Sequence, residues 1–97
     1  MRSEDGSLRY RSKGRIFSDI LTAVRLEGAA RPTHILYKAN LSHDRLTKYL
    51  GMLEDSGLLN RKMDGERAEY SITPKGEQFL VEFRRMETFA DAFGLEI

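Results

Sequence analysis

Two histidines are the only imidazoles in this chain, and their spacing suits no catalyst. His34 and His43 stand nine residues apart on different predicted elements, with no cysteine anywhere to join them. Neither a His-Glu-x-x-His pair nor a zinc-ligand spacing occurs. The glycines fall at turns and helix ends, without the order of a phosphate-cradling loop. The carboxylates lie mostly beside Lys or Arg on predicted solvent faces. These residues predict no enzyme, no metal site and no cofactor. A different chemistry gathers between positions 42 and 48. Ser42, His43, Arg45, Thr47 and Lys48 bring hydroxyl, imidazole, guanidinium and ammonium groups into seven residues. Arg and Lys can donate to guanine or to phosphate oxygens, and a Thr methyl can meet a thymine methyl. Ser42 and the helix N-terminus that it would cap offer N–H groups to a phosphate. Asp44 opposes this. It suits a helix N-terminus electrostatically but repels phosphate, so it must cap, pair with Arg45 or Lys48, or accept from cytosine.

The elements that would position these groups follow from periodicity and caps. Leu46, Leu50 and Leu53 recur at i, i+4, i+7, with Tyr49 at the edge of the stripe, so a helix is predicted over 43–56. Its outward line is then Asp44, Lys48, Gly51 and Asp55, with His43 and Thr47 on one shoulder and Arg45 on the other. Gly57 is its expected left-handed stop. Before it, Asn40-Leu41-Ser42 reads as a tight turn in which Asn40 tolerates the left-handed conformation and Ser42 caps the next helix. A short helix over 34–39, capped by Thr33, would bury Ile35 and Leu36, with Tyr37 joining them. A first helix over 15–27 carries Ile16, Phe17, Ile20, Leu21 and Val24 on one face and stops at Gly28.

Downstream, 59–63 and 68–72 alternate as two strands around Asp64-Gly65, a hairpin signal. Glu66 and Arg67 suggest a loop somewhat longer than two residues. Tyr70 and Ile72 should face the core while Arg61, Lys62 and Arg67 face out. Thr73-Pro74 opens the last helix, Thr as cap and Pro at the first position. Phe79, Phe83, Met86, Ala90 and Phe93 are spaced 4, 3, 4, 3, a heptad seam of about two heptads. Leu80 widens the stripe where it can meet the core. Beyond Phe83 the helix outruns any three-helix core, so Phe83, Met86, Phe89, Ala90 and Phe93 are the expected interface of a homodimer. Folding back onto its own domain is the alternative. The expected fold class is mainly α with a small β-hairpin: a winged helix-turn-helix with an extended C-terminal helix.

Composition sets the partner. The net charge of +1 conceals a gradient. Residues 1–15 hold five basic groups against two acidic, net +3, while residues 76–97 hold two against five, net −3. A basic front and an acidic tail orient the molecule toward a polyanion from one end. Arg11, Lys13 and Arg15 are therefore candidate phosphate contacts, with Arg61, Lys62 and Arg67 on the wing. Wing charges alone sum to zero, since Asp64, Glu66 and Glu69 oppose the three basic residues. Residues 1–14 lack periodicity and read either as a solvated tail or as a DNA-contacting arm, with a short ordered piece at Leu8-Arg9-Tyr10. No apolar run marks a signal peptide or a membrane span, and zero cysteines suit a reducing interior. The expected location is cytoplasmic, on the nucleoid, with no membrane partner.

The run Thr33-x-Ile35-Leu36-Tyr37-x-Ala39-Asn40-Leu41-Ser42, with Leu46-x-x-Tyr49-Leu50, Gly57-Leu58-Leu59 and Thr73-Pro74-Lys75-Gly76-x-x-Phe79-Leu80, resembles the small archaeal winged-helix DNA-binding proteins. The likeness covers about residues 11–83. It implies a long last helix forming an antiparallel coiled-coil dimer, and in one group association with Sulfolobus chromatin. This chain differs in carrying His43 where such proteins often have an aromatic residue, and in its short, acidic, Phe-rich final segment. The sequence thus divides into a basic arm (1–14), a winged-helix domain (15–83) and a dimerising helix extension (84–97). It predicts a homodimer that binds double-stranded DNA sequence-specifically as a transcriptional regulator. A nucleoid architectural protein with weak sequence preference, or a winged-helix protein-interaction module, are the alternatives.

Overall fold

Sequence order dictates a helical triad, a hairpin and a closing helix, and the computed structural model, which describes residues 11–97, has that order. Helix α1 spans Lys13–Glu27, α2 Pro32–Ala39 and α3 His43–Asp55. Strands β1 (Leu59–Asp64) and β2 (Arg67–Ile72) form an antiparallel hairpin, and α4 (Pro74–Ala92) follows directly. The expected ordered piece at Leu8-Arg9-Tyr10 lies outside the described residues.

Capping chemistry decides where each helix begins and accounts for two corrections. Helix α1 starts at Lys13 rather than residue 15, because the Ser12 hydroxyl accepts from the Arg15 N–H at 3.1 Å. Helix α2 starts at Pro32, so Arg31 and not Thr33 is its cap, and no side chain closes that end. Proline has no N–H to lose there and its fixed φ already matches the helix. Ser42 does cap α3, accepting from the Arg45 N–H at 3.3 Å.

The helix ends follow the same logic. Asn40 adopts the left-handed conformation (φ 56°, ψ 58°) and the Leu41 N–H then reaches the Leu36 carbonyl at 3.1 Å. At the end of α3, which stops at Asp55, Gly57 takes φ 78°. The Leu58 N–H thereby meets the Leu53 carbonyl at 2.9 Å and the Gly57 N–H meets Glu54 at 3.0 Å, a Schellman motif that satisfies two orphan carbonyls.

The core is built by these turns. Ile16, Ile20, Leu21 and Val24 of α1, Ile35 of α2, Leu46 and Leu53 of α3 and Leu59 of β1 are almost wholly buried. Each contributes roughly 1.5–3 kcal/mol by leaving water. Tyr37 does not join them. It is 76% exposed, because the apolar face of a helix of two turns is filled by Ile35 and Ala39.

The hairpin connects through two residues, Gly65 and Glu66, tighter than expected. Asp64 pairs with Arg67 and Gly65 takes φ 67°, the positive first position of a two-residue hairpin turn that follows the strands' own twist. Ala30 anchors the hairpin from outside: its N–H and carbonyl exchange bonds with Tyr70 at 2.9 and 2.8 Å. Thr73 joins hairpin to helices. Its hydroxyl accepts from the Gly76 N–H at 2.9 Å and donates to the Gly57 carbonyl at 2.7 Å.

Helix α4 leaves this core along a row of rings. Phe17 of α1 meets Tyr49 edge-on at 6.0 Å and Phe79 at 6.2 Å, and Phe79 stacks on Phe83 at 5.8 Å. Phe83 also lies against Gly14, under the Arg15 guanidinium at 5.5 Å, while Arg15 forms an ion pair with Glu87. Leu80 packs on the core as expected. Past Gly94 the chain turns back, the Leu95 N–H reaching the Ala90 carbonyl at 2.7 Å. Phe83 and Ala90 are consequently buried within the single chain.

Candidate nucleic-acid interface

Once the leucines of α3 fix its inner side, its outer side is set. His43, Asp44, Arg45, Thr47, Lys48 and Gly51 are all exposed on α3, and all but Gly51 belong to its N-terminal half. Thr47 spends its hydroxyl proton on the His43 carbonyl at 3.0 Å, which leaves its methyl and oxygen lone pairs outward. Asp44 does not pair with Arg45 or Lys48; the His43 Nδ1 lies 4.0 Å from its carboxylate.

Tyr49 is the platform under the two long cations. Arg45 lies 5.9 Å from the centre of its ring and Lys48 5.4 Å, within reach of the attraction between a cation and an aromatic face. The Arg45 guanidinium beside the Tyr49 hydroxyl holds that phenol below its usual pKa against the opposing effect of burial, and the charges of Lys48 and Lys13 act in the same direction. Lys13, at the start of α1, thus belongs to the same electropositive field as the outer face of α3.

Other predicted phosphate contacts are engaged inside the molecule. The Arg11 guanidinium donates to Asp19, to the Ala39 carbonyl and to the Asn40 carbonyl, each at 2.8 Å. It serves as a cap on α2. Arg15 is held by Glu87 and Phe83. Their partners lie too far along the sequence for a local pattern to announce them.

On the wing, the register separates the basic residues. Arg61 pairs with Tyr70 and therefore shares the core-side face of the sheet, where Glu54 binds it at 3.2 Å. Lys62 and Arg67 lie on the opposite face, exposed. All three are exposed as expected, but strand parity keeps them from sharing one face. Two of the three wing acids are also accounted for: Arg31 binds Asp64 at 2.9 Å and Glu69 at 3.3 Å. Arg31 and the exposed Tyr37 are the residues that sequence reasoning missed. A cation at the start of α2 is electrostatically misplaced, and that was the available sign that acids elsewhere must hold it.

A second helix set against a first by a tight turn, with a hairpin alongside, defines a helix-turn-helix protein with a wing. A family model described as winged helix-turn-helix matches residues 10–91, and the chain belongs to that family. Among solved structures it is similar to Sso10a-2, a DNA-binding protein from Sulfolobus solfataricus, at 28% identity and a TM-score of 0.78, covering 86% of this chain and 85% of that one. It is also similar to the transcriptional regulator Tm0710 from Thermotoga maritima, at 28% identity and a TM-score of 0.65, covering 80% of this chain and 57% of that one. The transcriptional regulator BldR from Sulfolobus solfataricus shares the fold at 24% identity and a TM-score of 0.64, with 78% and 60% covered. The chain thus spans about three fifths of these two regulators. No curated protein matches. Among the described residues, no helix is long and apolar enough to cross a membrane.

Proposed function

We propose that this chain is a cytoplasmic, homodimeric transcriptional regulator that binds double-stranded DNA sequence-specifically. The observation that carries the reading is the outer face of α3, where Arg45 and Lys48 stand over Tyr49 with His43 and Thr47 beside them. In this arrangement the N-terminal half of α3 enters the major groove, as the second helix of such a unit does. Arg45 and Lys48 donate to guanine edges, and His43 and Thr47 touch neighbouring bases. The Ser42 end of α3, Lys13, Lys62 and Arg67 bind phosphates on either side.

The dimer reading rests on Met86, Phe89 and Phe93, which are 53%, 63% and 66% exposed on one chain. Phe89 and Phe93 pack on each other at 4.8 Å, with exposed Leu95 and Ile97 nearby. An apolar patch of this kind at the end of a helix calls for a partner surface. Phe83 and Ala90 support that surface from within. Phe89→Glu should convert the protein to a monomer in sedimentation equilibrium with its helical content intact. A dimer that persists would place the interface elsewhere.

A second reading is an architectural DNA-binding protein with weak sequence preference; the match to Sso10a-2, a DNA-binding protein, over 86% of this chain and 85% of that one supports DNA binding under either reading. Binding to genomic fragments at two salt concentrations separates the two. A regulator retains one fragment far above background at the higher salt, whereas an architectural protein releases all fragments together along a steep salt slope. No binding at the lower salt would reject both.

A further inference from the structure

We propose that Arg31 is a positioning residue for the DNA-binding wing, acting by withholding Asp64 and Glu69 from the phosphate-facing charge of the hairpin. The inference deepens the DNA-binding reading and rests on it. Arg31 is the last residue before α2, and its neighbour Ala30 is locked to Tyr70 of β2 by two backbone bonds of 2.9 and 2.8 Å. The guanidinium therefore meets the hairpin from a fixed base. One terminal nitrogen, Nη2, contacts both Asp64 at 2.9 Å and Glu69 at 3.3 Å. The other, Nη1, is buried and has no hydrogen-bond partner among the described residues.

The consequence is electrostatic. Strand register puts Asp64, Glu69, Lys62 and Arg67 on one face of the hairpin, two acids against two bases. With Arg31 binding both acids, that face holds three bases against two acids and carries a net charge of +1, and the two acids are drawn away from Lys62 and Arg67. Without it the face is neutral, and Asp64, directly opposite Arg67 in the register, is free to bind Arg67 instead. Arg31 and Arg67 also line one open cleft, together with Tyr37, so the arginine acts beside the positions that would meet phosphate. Charges this close fall well inside the screening length of about 10 Å at 0.1 M salt.

The test is rescue. In fluorescence anisotropy with a genomic duplex at low salt, Arg31→Gln should bind on the order of fivefold more weakly than wild type, with a shallower salt dependence. Adding Asp64→Asn and Glu69→Gln to that variant should restore affinity to at least the wild-type level, because the acids no longer need withholding. The melting temperature should move by only a few degrees in all variants, since ion pairs that remain partly open to water contribute little to stability. Arg31→Gln binding as tightly as wild type overturns the proposal. So does a triple variant that stays weak, which would make Arg31 a direct phosphate contact. A wild-type protein that fails to bind any duplex overturns instead the DNA-binding reading beneath it.

Discussion

Gly76→Ala should lower the melting temperature by about 8–16 °C, while Gly51→Ala, the same chemical change one helix earlier, should raise it. A Cβ built at Gly76 would lie 2.4 Å from the Leu58 carbonyl oxygen and 2.6 Å from Ile72 Cγ1. The first of these is backbone, held by the Thr73 N–H at 3.2 Å and by the motif that ends α3, so it has no room to yield. Overpacking of this kind costs about 1–3 kcal/mol, and a backbone clash belongs at the upper end. Alanine's better helix propensity returns at most about 1 kcal/mol. The clash wins, leaving a net loss of about 2 kcal/mol, which in a domain of this size is the stated shift. At Gly51 nothing lies within 4 Å of the added carbon, so only the propensity gain of up to about 1 kcal/mol remains. Thermal denaturation of both variants checks the pair. Equal shifts would mean that α4 does not enter the fold against the exit of α3.

That contact illustrates which parts of the molecule were legible in the sequence. Local devices were readable because cause and effect lie within a few residues: Asn40 and Gly57 as left-handed stops, Ser42 and Thr73 as caps, and the leucine stripe of α3. The hairpin turn was readable in place but not in length, because Gly65 at the first turn position already suffices and Glu66 needs no special conformation. Non-local pairings were not readable. Arg11 caps carbonyls 28 and 29 residues away, and Arg31 meets an acid 33 residues on. Nothing within a few residues of either arginine announces such a partner.

Two members of the α4 seam, Phe83 and Ala90, are covered for a related reason. A heptad pattern reports which residues share a face, not which of them the chain itself covers. Phe83 is covered because Gly14 leaves room for its ring, and Ala90 because the chain doubles back after Gly94. What remains exposed is the outer part, Met86, Phe89 and Phe93, closer to the acidic end than the full seam implied. The wing differs again. Strand parity from buried Leu59 was enough to place Arg61 on the core-side face, and that inference was available from sequence.

Replacing Arg45 and Lys48 together with alanine should weaken binding to a preferred duplex by about 100-fold and leave the fold intact. A well-placed base contact is worth about 1–3 kcal/mol, and two of moderate strength, at about 1.4 kcal/mol for each factor of ten, give that figure. Neither side chain forms an ion pair among the described residues, and both stand over the face of Tyr49, so their removal leaves no buried group unpaired. Arg11→Ala is the contrast. Its guanidinium closes two carbonyls at the end of α2 and holds Asp19, so its loss should appear in the melting curve, with DNA affinity less affected than in the α3 variant. Anisotropy titrations and melts on both proteins separate the roles. If the double variant binds as wild type does, the outer face of α3 is not the reading surface. If Arg11→Ala melts as wild type but loses affinity, Arg11 belongs with the phosphate contacts after all. The salt slope adds a finer division: losing a phosphate contact should reduce it by about one, while losing a contact to a base edge should relax discrimination between duplexes at one position. Arg45 and Lys48 tested singly would then show which of the two reads sequence and which only holds the backbone.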